Sequence, residues 1–180
     1  MGASVRVSSL ERAKEARRLA DVVHGRLVEI GRTVAVAESL TGGLVGAHLT
    51  DAAGTSVTFR GGLIVYSAES KHAVAGVPQR LLDQHGPVSA VIARELARGA
   101  RERLGADYGI GVTGVAGPAT QDGSPVGEVH VAVAGADVLR CDIYRFDGSR
   151  DAIRLATVAA ALRQLVGVVE SDLARATCSS

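Results

Sequence analysis

The 180-residue sequence has no tryptophan, two phenylalanines and three tyrosines, which leaves little aromatic surface on which the bases of a single strand could stack. It has no excess of charge either. Twenty Lys and Arg face nineteen Asp and Glu, a formal net charge of +1, so no overall field draws the chain onto nucleic acid or an anionic membrane. The two cysteines, Cys141 and Cys178, lack both CxxC spacing and the density of a disulfide scaffold, which fits a reducing compartment. His24, His48, His72, His85 and His130 are scattered without HExxH or Cys/His spacing, so no metal site is predicted.

No apolar stretch reads as the roughly 20 residues of a bilayer span, and "MGASVRVSSLERAK" lacks the hydrophobic centre of a signal peptide. Arg6 stands where a myristoylation signal needs Ser or Thr. A soluble cytoplasmic protein is expected, with neither nucleic acid nor membrane as partner. Repeats, low-complexity tracts and linkers are absent, so residues 1–180 read as one domain.

Ser8 and Glu11 suggest a capping box, and Leu19, Val23, Leu27 and Ile30 recur at helical spacing, which predicts an amphipathic helix over 9–30. "TVAVA" at 33–37 reads as a buried strand and "GLVGAHLTD" as the helix after it. "FRGGLIVYS" at 59–67 predicts a second strand, with Gly61 and Gly62 marking a bulge or a close backbone approach. A short helix follows over 68–75, and then a connecting stretch marked by Pro78 and Pro87. Ser89 caps the helix that carries Ile92, Leu96, Ala100 and Leu104. "DYGIGVTGVAGP" runs a strand into a glycine-rich loop; "EVHVAVAG" and "VLRCDIYRF" form a hairpin. A strong closing helix begins behind Ser149, and the tail from about 171 is expected to fray. Alternating helices and buried strands followed by a hairpin predict an α/β fold: a three-layer α/β/α sandwich around a mixed, mostly parallel sheet of about five strands.

Three strands end in small and hydroxyl residues, "ESLTGG", "YSAESK" and "TGVAGP", and in such sheets these carboxyl ends gather where ligands bind. Ser39 can cap a helix or act as a nucleophile. Gly42 and Gly43 allow close approach to the first amides of that helix, which suit a phosphate or an oxyanion. Lys71 is either a solvated ammonium or, sunk among apolar groups, a base toward a serine. Tyr66 and Ser56 can relay that proton, or be a satisfied core tyrosine and a plain turn residue. The 113–123 segment is a binding loop or a surface turn. Arg150 and Arg154 clamp a phosphate or lie in solvent. Glu38 partners Lys71 or nearby amides, or tunes a base.

Together "AESLTGGLVGAHLTDAAGTSVTFRGGLIVYSAESK", "GPVSAVIARELARGAR", "TGVAGP", "PVGEVHVAV" and "GSRDAIRLATVAAAL" resemble the CinA C-terminal domain family, the nicotinamide mononucleotide deamidases. The resemblance spans Thr33 to Leu165 and implies the stand-alone form of the family. It also implies a three-layer α/β/α fold and a reaction in which nicotinamide mononucleotide and water give nicotinate mononucleotide and ammonia. By motif, Ser39 is the implied nucleophile and Lys71 the implied base, with Tyr66, Ser56 and Thr113 close by. No cofactor is implied, and family habit suggests a homo-oligomer. The sequence departs from the family pattern at Leu40 (for cysteine), Ala68 (for asparagine), "AGTS" (for PGSS), Pro118-Ala119-Thr120 (for PGG) and Ser149 (for aspartate). Ala68 and the 118–120 change bear on substrate specificity.

The expected chemistry is acyl transfer by a Ser39/Lys71 pair on a small nucleotide substrate. Backbone amides around Thr41, Gly42 and Gly43 would hold the oxyanion. Glu38, Thr113, Gly114, Gly117 and Arg150 would complete substrate binding. Two other readings remain open: a serine amidase or esterase for a different small substrate, and a non-catalytic nucleotide-binding module.

Overall fold

The computed structural model describes residues 9–178, so the Ser8 half of the expected capping box lies outside the described residues. Helix α1 (Ser9–Glu29) leads into β1 (Val34–Glu38), α2 (Leu44–Leu49), a 3-10 turn at Thr55–Val57 and β2 (Phe59–Ile64). Then come α3 (Ala68–Ala73), α4 (Gln79–His85), α5 (Ala90–Arg103), β3 (Tyr108–Gly114), β4 (Glu128–Ala134), β5 (Leu139–Arg145) and α6 (Arg150–Cys178).

The five strands form one sheet in the order β2-β1-β3-β4-β5. β2, β1 and β3 run parallel, whereas β4 is antiparallel to both β3 and β5. The expected hairpin closes where the Gly135 N–H donates to the Val138 carbonyl at 2.8 Å. The glycine pair in β2 marks an irregularity, because Phe59 pairs with Val34 but Gly61 with the very next residue, Ala35.

Alternation along the strands sorts the core into two unlike faces. Val34, Val36, Ile110, Val112, Val129, Val131 and Val133 pack with α1 and α6 in the larger cluster. On the other face Ala35 and Ala37 join Ile92, Leu96 and Ala100 of α5, and Ala132 and Ala134 meet Ala93 and Ala97. This second face is built from small residues so that α5 can press against the sheet. A Cβ on Gly111 would lie 2.2 Å from the Ala93 carbonyl oxygen, and one on Gly109 2.0 Å from that of Ala97.

Three expectations change. The stretch after Pro78 is helical as α4, starting directly behind the proline, whose fixed φ suits a helix start. The expected frayed tail is instead helical through Cys178. It is held because Leu173 packs on the core and the Tyr108 phenol donates to Asp172 at 2.6 Å. Finally, the Arg150–Arg175 part of α6 is long and apolar enough to cross a bilayer, with a hydropathy of 1.6 over its apolar window. Two-thirds of that window (67%) is buried within the molecule, so its apolarity serves the core, with Arg163 turned to solvent.

The close approach of α5 gives a direct test. Gly111→Ala is expected to lower stability by about 1–3 kcal/mol through overpacking. Gly25→Ala in α1, where an added Cβ meets nothing within 4 Å, should raise it by about 0.5–1 kcal/mol. Urea midpoints of the two variants check both signs.

Candidate active site

Strands β2, β1 and β3 end level with one another, since Glu38 pairs with both Ile64 and Val112. One residue further on, the ladder continues: the Ser39 N–H donates to the Val112 carbonyl at 3.1 Å, and the Val65 N–H to that of Glu38 at 2.8 Å. The alternation of β1 carries Ser39 onto the face of Ala35 and Ala37. Thr113, on the face of Gly109 and Gly111, is its neighbour across the ladder.

Lys71 reaches this point from α3, whose start is fixed by a reciprocal Ser67/Ser70 capping box. It is only 2% exposed. Its Nζ donates to the Pro87 carbonyl at 2.7 Å and to the Thr113 hydroxyl at 3.0 Å, and that hydroxyl in turn donates to Pro87 at 2.8 Å. Burial lowers the Lys71 pKa from the ordinary 10.5 to about 8, while the Asp122 carboxylate opposes the shift. A neutral amine has two hydrogens and one lone pair. Both hydrogens have acceptors here, which leaves the lone pair as the free function.

The Ser39 hydroxyl takes no hydrogen bond among the described residues, from Lys71 or from any other group. Adjacent strands lie about 4.8 Å apart, so amine and hydroxyl share the end of one two-strand ladder. Ser39 lines a cavity of about 130 Å³ with Tyr66, Gly114, Gly117, Gln121 and Arg150 among its walls. The 113–123 segment is therefore a wall of the site, folded back by mutual Gln121 and Ser124 backbone bonds at 3.1 and 2.8 Å. Its amides at Ala116 and Gly117 carry no backbone partner. A larger cavity of about 430 Å³ lies at the start of β3, but Asp107 and Asp172 there already pair with Arg32, Tyr108 and Arg175.

Several expected roles are corrected by this geometry. Glu38 is 1% exposed and accepts N–H bonds from Gly43, Val45 and Gly46 at 2.8–3.1 Å. It caps α2 on the far face of the sheet and neither touches Lys71 nor faces the cavity. The Gly42 amide is likewise taken, by the Ser39 carbonyl at 3.0 Å. Gly42 and Gly43, at φ 59° and 98°, therefore shape the turn, and the unused amides are those of Leu40 and Thr41. Thr41 is fully buried, backbone included, with its hydroxyl unpartnered, and it does not line the cavity, whereas Leu40 does.

Ser56 is exposed in the 3-10 turn before β2. It lies at the opposite edge of the sheet, since six residues of strand at about 3.3 Å each separate the two edges; it is not a proton relay. Tyr66 lines the cavity together with Ser39. It is 59% exposed, at the mouth, where its hydroxyl accepts from Arg150 Nη2 at 2.5 Å. Arg150 Nη1 also donates to the Gly117 carbonyl at 2.6 Å, so its charge meets only neutral acceptors. Arg154, one turn on, donates to the carbonyls of Leu40 and Thr41 at 3.1 and 2.9 Å. The i, i+4 spacing flagged both arginines without distinguishing their targets. The Pro87 carbonyl, being backbone, left no mark in the sequence.

Removal of the buried amine should show in stability. The unfolded chain binds more protons than the folded one between about pH 8 and 10.5, so burial of Lys71 costs most below pH 8. Lys71→Met is expected to be more stable than wild type by on the order of 1–3 kcal/mol at pH 7, with the gain shrinking as pH rises through that window. Denaturant titrations at several pH values check this.

The CinA C-terminal domain family matches residues 16–169. A CinA-like protein of Frankia casuarinae is 45% identical over 159 residues, covering 86% of this chain and 37% of that protein. One of Geobacter sulfurreducens is 48% identical over 135 residues, covering 74% and 33%. The chain thus spans little more than a third of the length of these relatives. Among solved structures, the competence/damage inducible protein CihA of Agrobacterium tumefaciens superposes with a TM-score of 0.82 at 35% identity, covering 85% of this chain and 94% of that one. A CinA superfamily protein of Escherichia coli gives 0.83 at 28% identity, with 93% and 99% covered. The mixed α/β sheet and the match over nearly the whole chain lead to one assignment: this chain belongs to the CinA C-terminal domain family.

Proposed function

We propose that the protein is an amidohydrolase that converts nicotinamide mononucleotide and water to nicotinate mononucleotide and ammonia. The observation that carries the reading is the buried Lys71 amine, both hydrogens engaged, at the end of the ladder that presents Ser39. A base of this kind acts through its neutral form, and desolvation is the means by which a lysine gains a useful neutral fraction near physiological pH.

In this mechanism the Lys71 lone pair takes the Ser39 proton while the serine oxygen attacks the carboxamide carbon. The positive pyridinium ring makes that carbon electrophilic, and a neutral lysine does not repel the ring. The Leu40 amide, at the wall of the cavity, holds the tetrahedral oxygen, such a donor typically contributing about 3 kcal/mol. Collapse breaks the carbon–nitrogen bond, with the proton on Lys71 passing to the departing ammonia. Water then attacks the acyl-serine ester, gives its proton to Lys71, and the nicotinate carboxylate leaves as Ser39 regains its hydrogen. At the mouth, Arg150 exchanges its neutral acceptors for the substrate phosphate, a charge-assisted and therefore stronger partner.

Ammonia release from nicotinamide mononucleotide tests this. Wild type should turn over, and Ser39→Ala should lose about 1000-fold or more in rate; full activity in the mutant would remove the serine from the chemistry. Release from other small amides alone would make the protein a different serine amidase, and tight binding without turnover a binding module. The kcat/KM profile should rise through about pH 8 as Lys71 deprotonates. Asp122→Asn removes the charge that opposes this shift and should move the inflection to lower pH.

A further inference from the structure

Residues 117–124 form a strap beside the Ser39 cavity, and Gly117, Ala119 and Gln121 are one of its walls. The base of the strap is fixed, since the Val115 N–H donates to the Glu128 carbonyl at 2.9 Å and the Gly127 N–H to that of Val115 at 2.8 Å. Its tip is self-contained. Gln121 and Ser124 bond each other around Asp122 and Gly123, which both have positive φ, 48° and 83°, as a primed two-residue turn requires. The Asp122 carboxylate at this tip is close enough to act on the buried Lys71 amine. Residues 118–123 are all exposed. Among the described residues, the strap makes one hydrogen bond to the rest of the chain, accepted by the Gly117 carbonyl from Arg150 Nη1 at 2.6 Å.

That bond is half of a bridge. The same guanidinium donates from Nη2 to the Tyr66 hydroxyl at 2.5 Å. Tyr66 follows β2 and Gly117 follows β3, the strands on either side of the β1 end that delivers Ser39, so Arg150 spans the mouth of the cavity. Both of its acceptors are neutral and Arg150 itself is exposed, which makes the bridge one that a phosphate outcompetes. The closed site is also small. It holds about 130 Å³, against roughly 300–1,000 Å³ for pockets that enclose a small molecule. A larger site needs a wall to move, and those at Ser39, Leu40, Val115 and Ala116 are buried at 3–6% exposure. The strap is the wall with the fewest ties.

We propose that the 117–124 strap is a lid latched by Arg150, and that the phosphate of the substrate unlatches it. The proposal rests on the nucleotide amidohydrolase reading above. A phosphate taken into the planar fork of the guanidinium turns Nη1 away from Gly117. The strap then swings about its base at Val115 and Gly127, and the amide-bearing ring enters to meet Ser39. Binding energy from a group that takes no part in the bond change thus goes into opening the site, and a substrate without that group loses rate as well as affinity. Anion and amide need not belong to one molecule, so free phosphate should open the lid for an amide that lacks it.

Two readouts test this, with inorganic phosphate as the probe. The chain has no tryptophan, so Thr120→Trp puts a single fluorescent reporter on the strap. Inorganic phosphate should change its emission saturably. With Arg150→Ala added, the emission should start at the phosphate-bound spectrum and no longer respond. This readout needs no turnover. The second is ammonia release from nicotinamide riboside, which lacks the phosphate. Inorganic phosphate should raise kcat on the riboside about fivefold, the order set by releasing an exposed bridge. Arg150→Ala should turn the riboside over at that raised rate without phosphate, while its KM for nicotinamide mononucleotide rises. Emission that ignores phosphate, or a phosphate response that survives Arg150→Ala, would overturn the proposal. Riboside turnover that phosphate leaves unchanged or slows would do the same. If neither amide releases ammonia, the substrate assignment fails and the emission alone decides the lid.

Discussion

A lysine amine buried to 2% exposure with two oxygen acceptors is the constraint on which the site depends. A charged ammonium at that depth is disfavoured, and the structure responds by depressing its pKa to about 8 rather than by supplying a carboxylate in contact. Thr113 and Pro87 accept the amine's hydrogens and leave the lone pair for other use. Every nearby element can be read as maintaining this arrangement. The α3 capping box sets the helix that carries Lys71, the parallel ladder brings Thr113 beside Ser39, and the loop before α5 contributes the Pro87 carbonyl.

The two faces of the sheet divide the labour. The valine-rich face buries α1 and α6 and gives the molecule most of its core. Across the sheet, the alanine and glycine face lets α5 come close enough for the loop at Pro87 to reach the end of β3. Glu38 and Ser39 are adjacent in sequence but point to opposite faces. The first ties down the start of α2 and the second lines the cavity, so one strand end both fixes its own turn and presents a hydroxyl to the site. The carboxylate holds the amides that a helix start would otherwise present to a ligand. Of the amides just before them, that of Leu40 is at the cavity wall.

Much of this was legible in the sequence, for physical reasons. Period-two runs and hydroxyl caps at Ser89 and Ser149 located strands and helix starts, and three strand ends rich in small and hydroxyl residues identified one edge as the site. Motif resemblance singled out Ser39, Lys71 and Thr113; the Lys71 amine bonds the Thr113 hydroxyl, and Thr113 follows Val112, to whose carbonyl Ser39 donates. The resemblance misplaced Ser56, which precedes β2 and so stands at the start of that strand, the edge opposite the one where β1 delivers Ser39. Glu38 and Gly43 were read as ligand groups since a sequence does not show that one caps the other. The helix behind Pro78 was hidden by reading proline only as a breaker. The Pro87 carbonyl and the two carbonyls that Arg154 binds are backbone groups, which leave no residue-type signature.

The central claim is that burial lowers the proton affinity of Lys71 far enough for its neutral form to serve as a base near pH 8. The chain has only two lysines, Lys14 and Lys71, so selective isotope labelling of lysine gives two side-chain signals, with Lys14 as internal reference. Following the Lys71 Cε and Nζ resonances through an NMR pH titration measures its proton affinity directly. The account predicts a midpoint near 8. A midpoint near the ordinary lysine value of 10.5 would contradict it and leave Ser39 without a base.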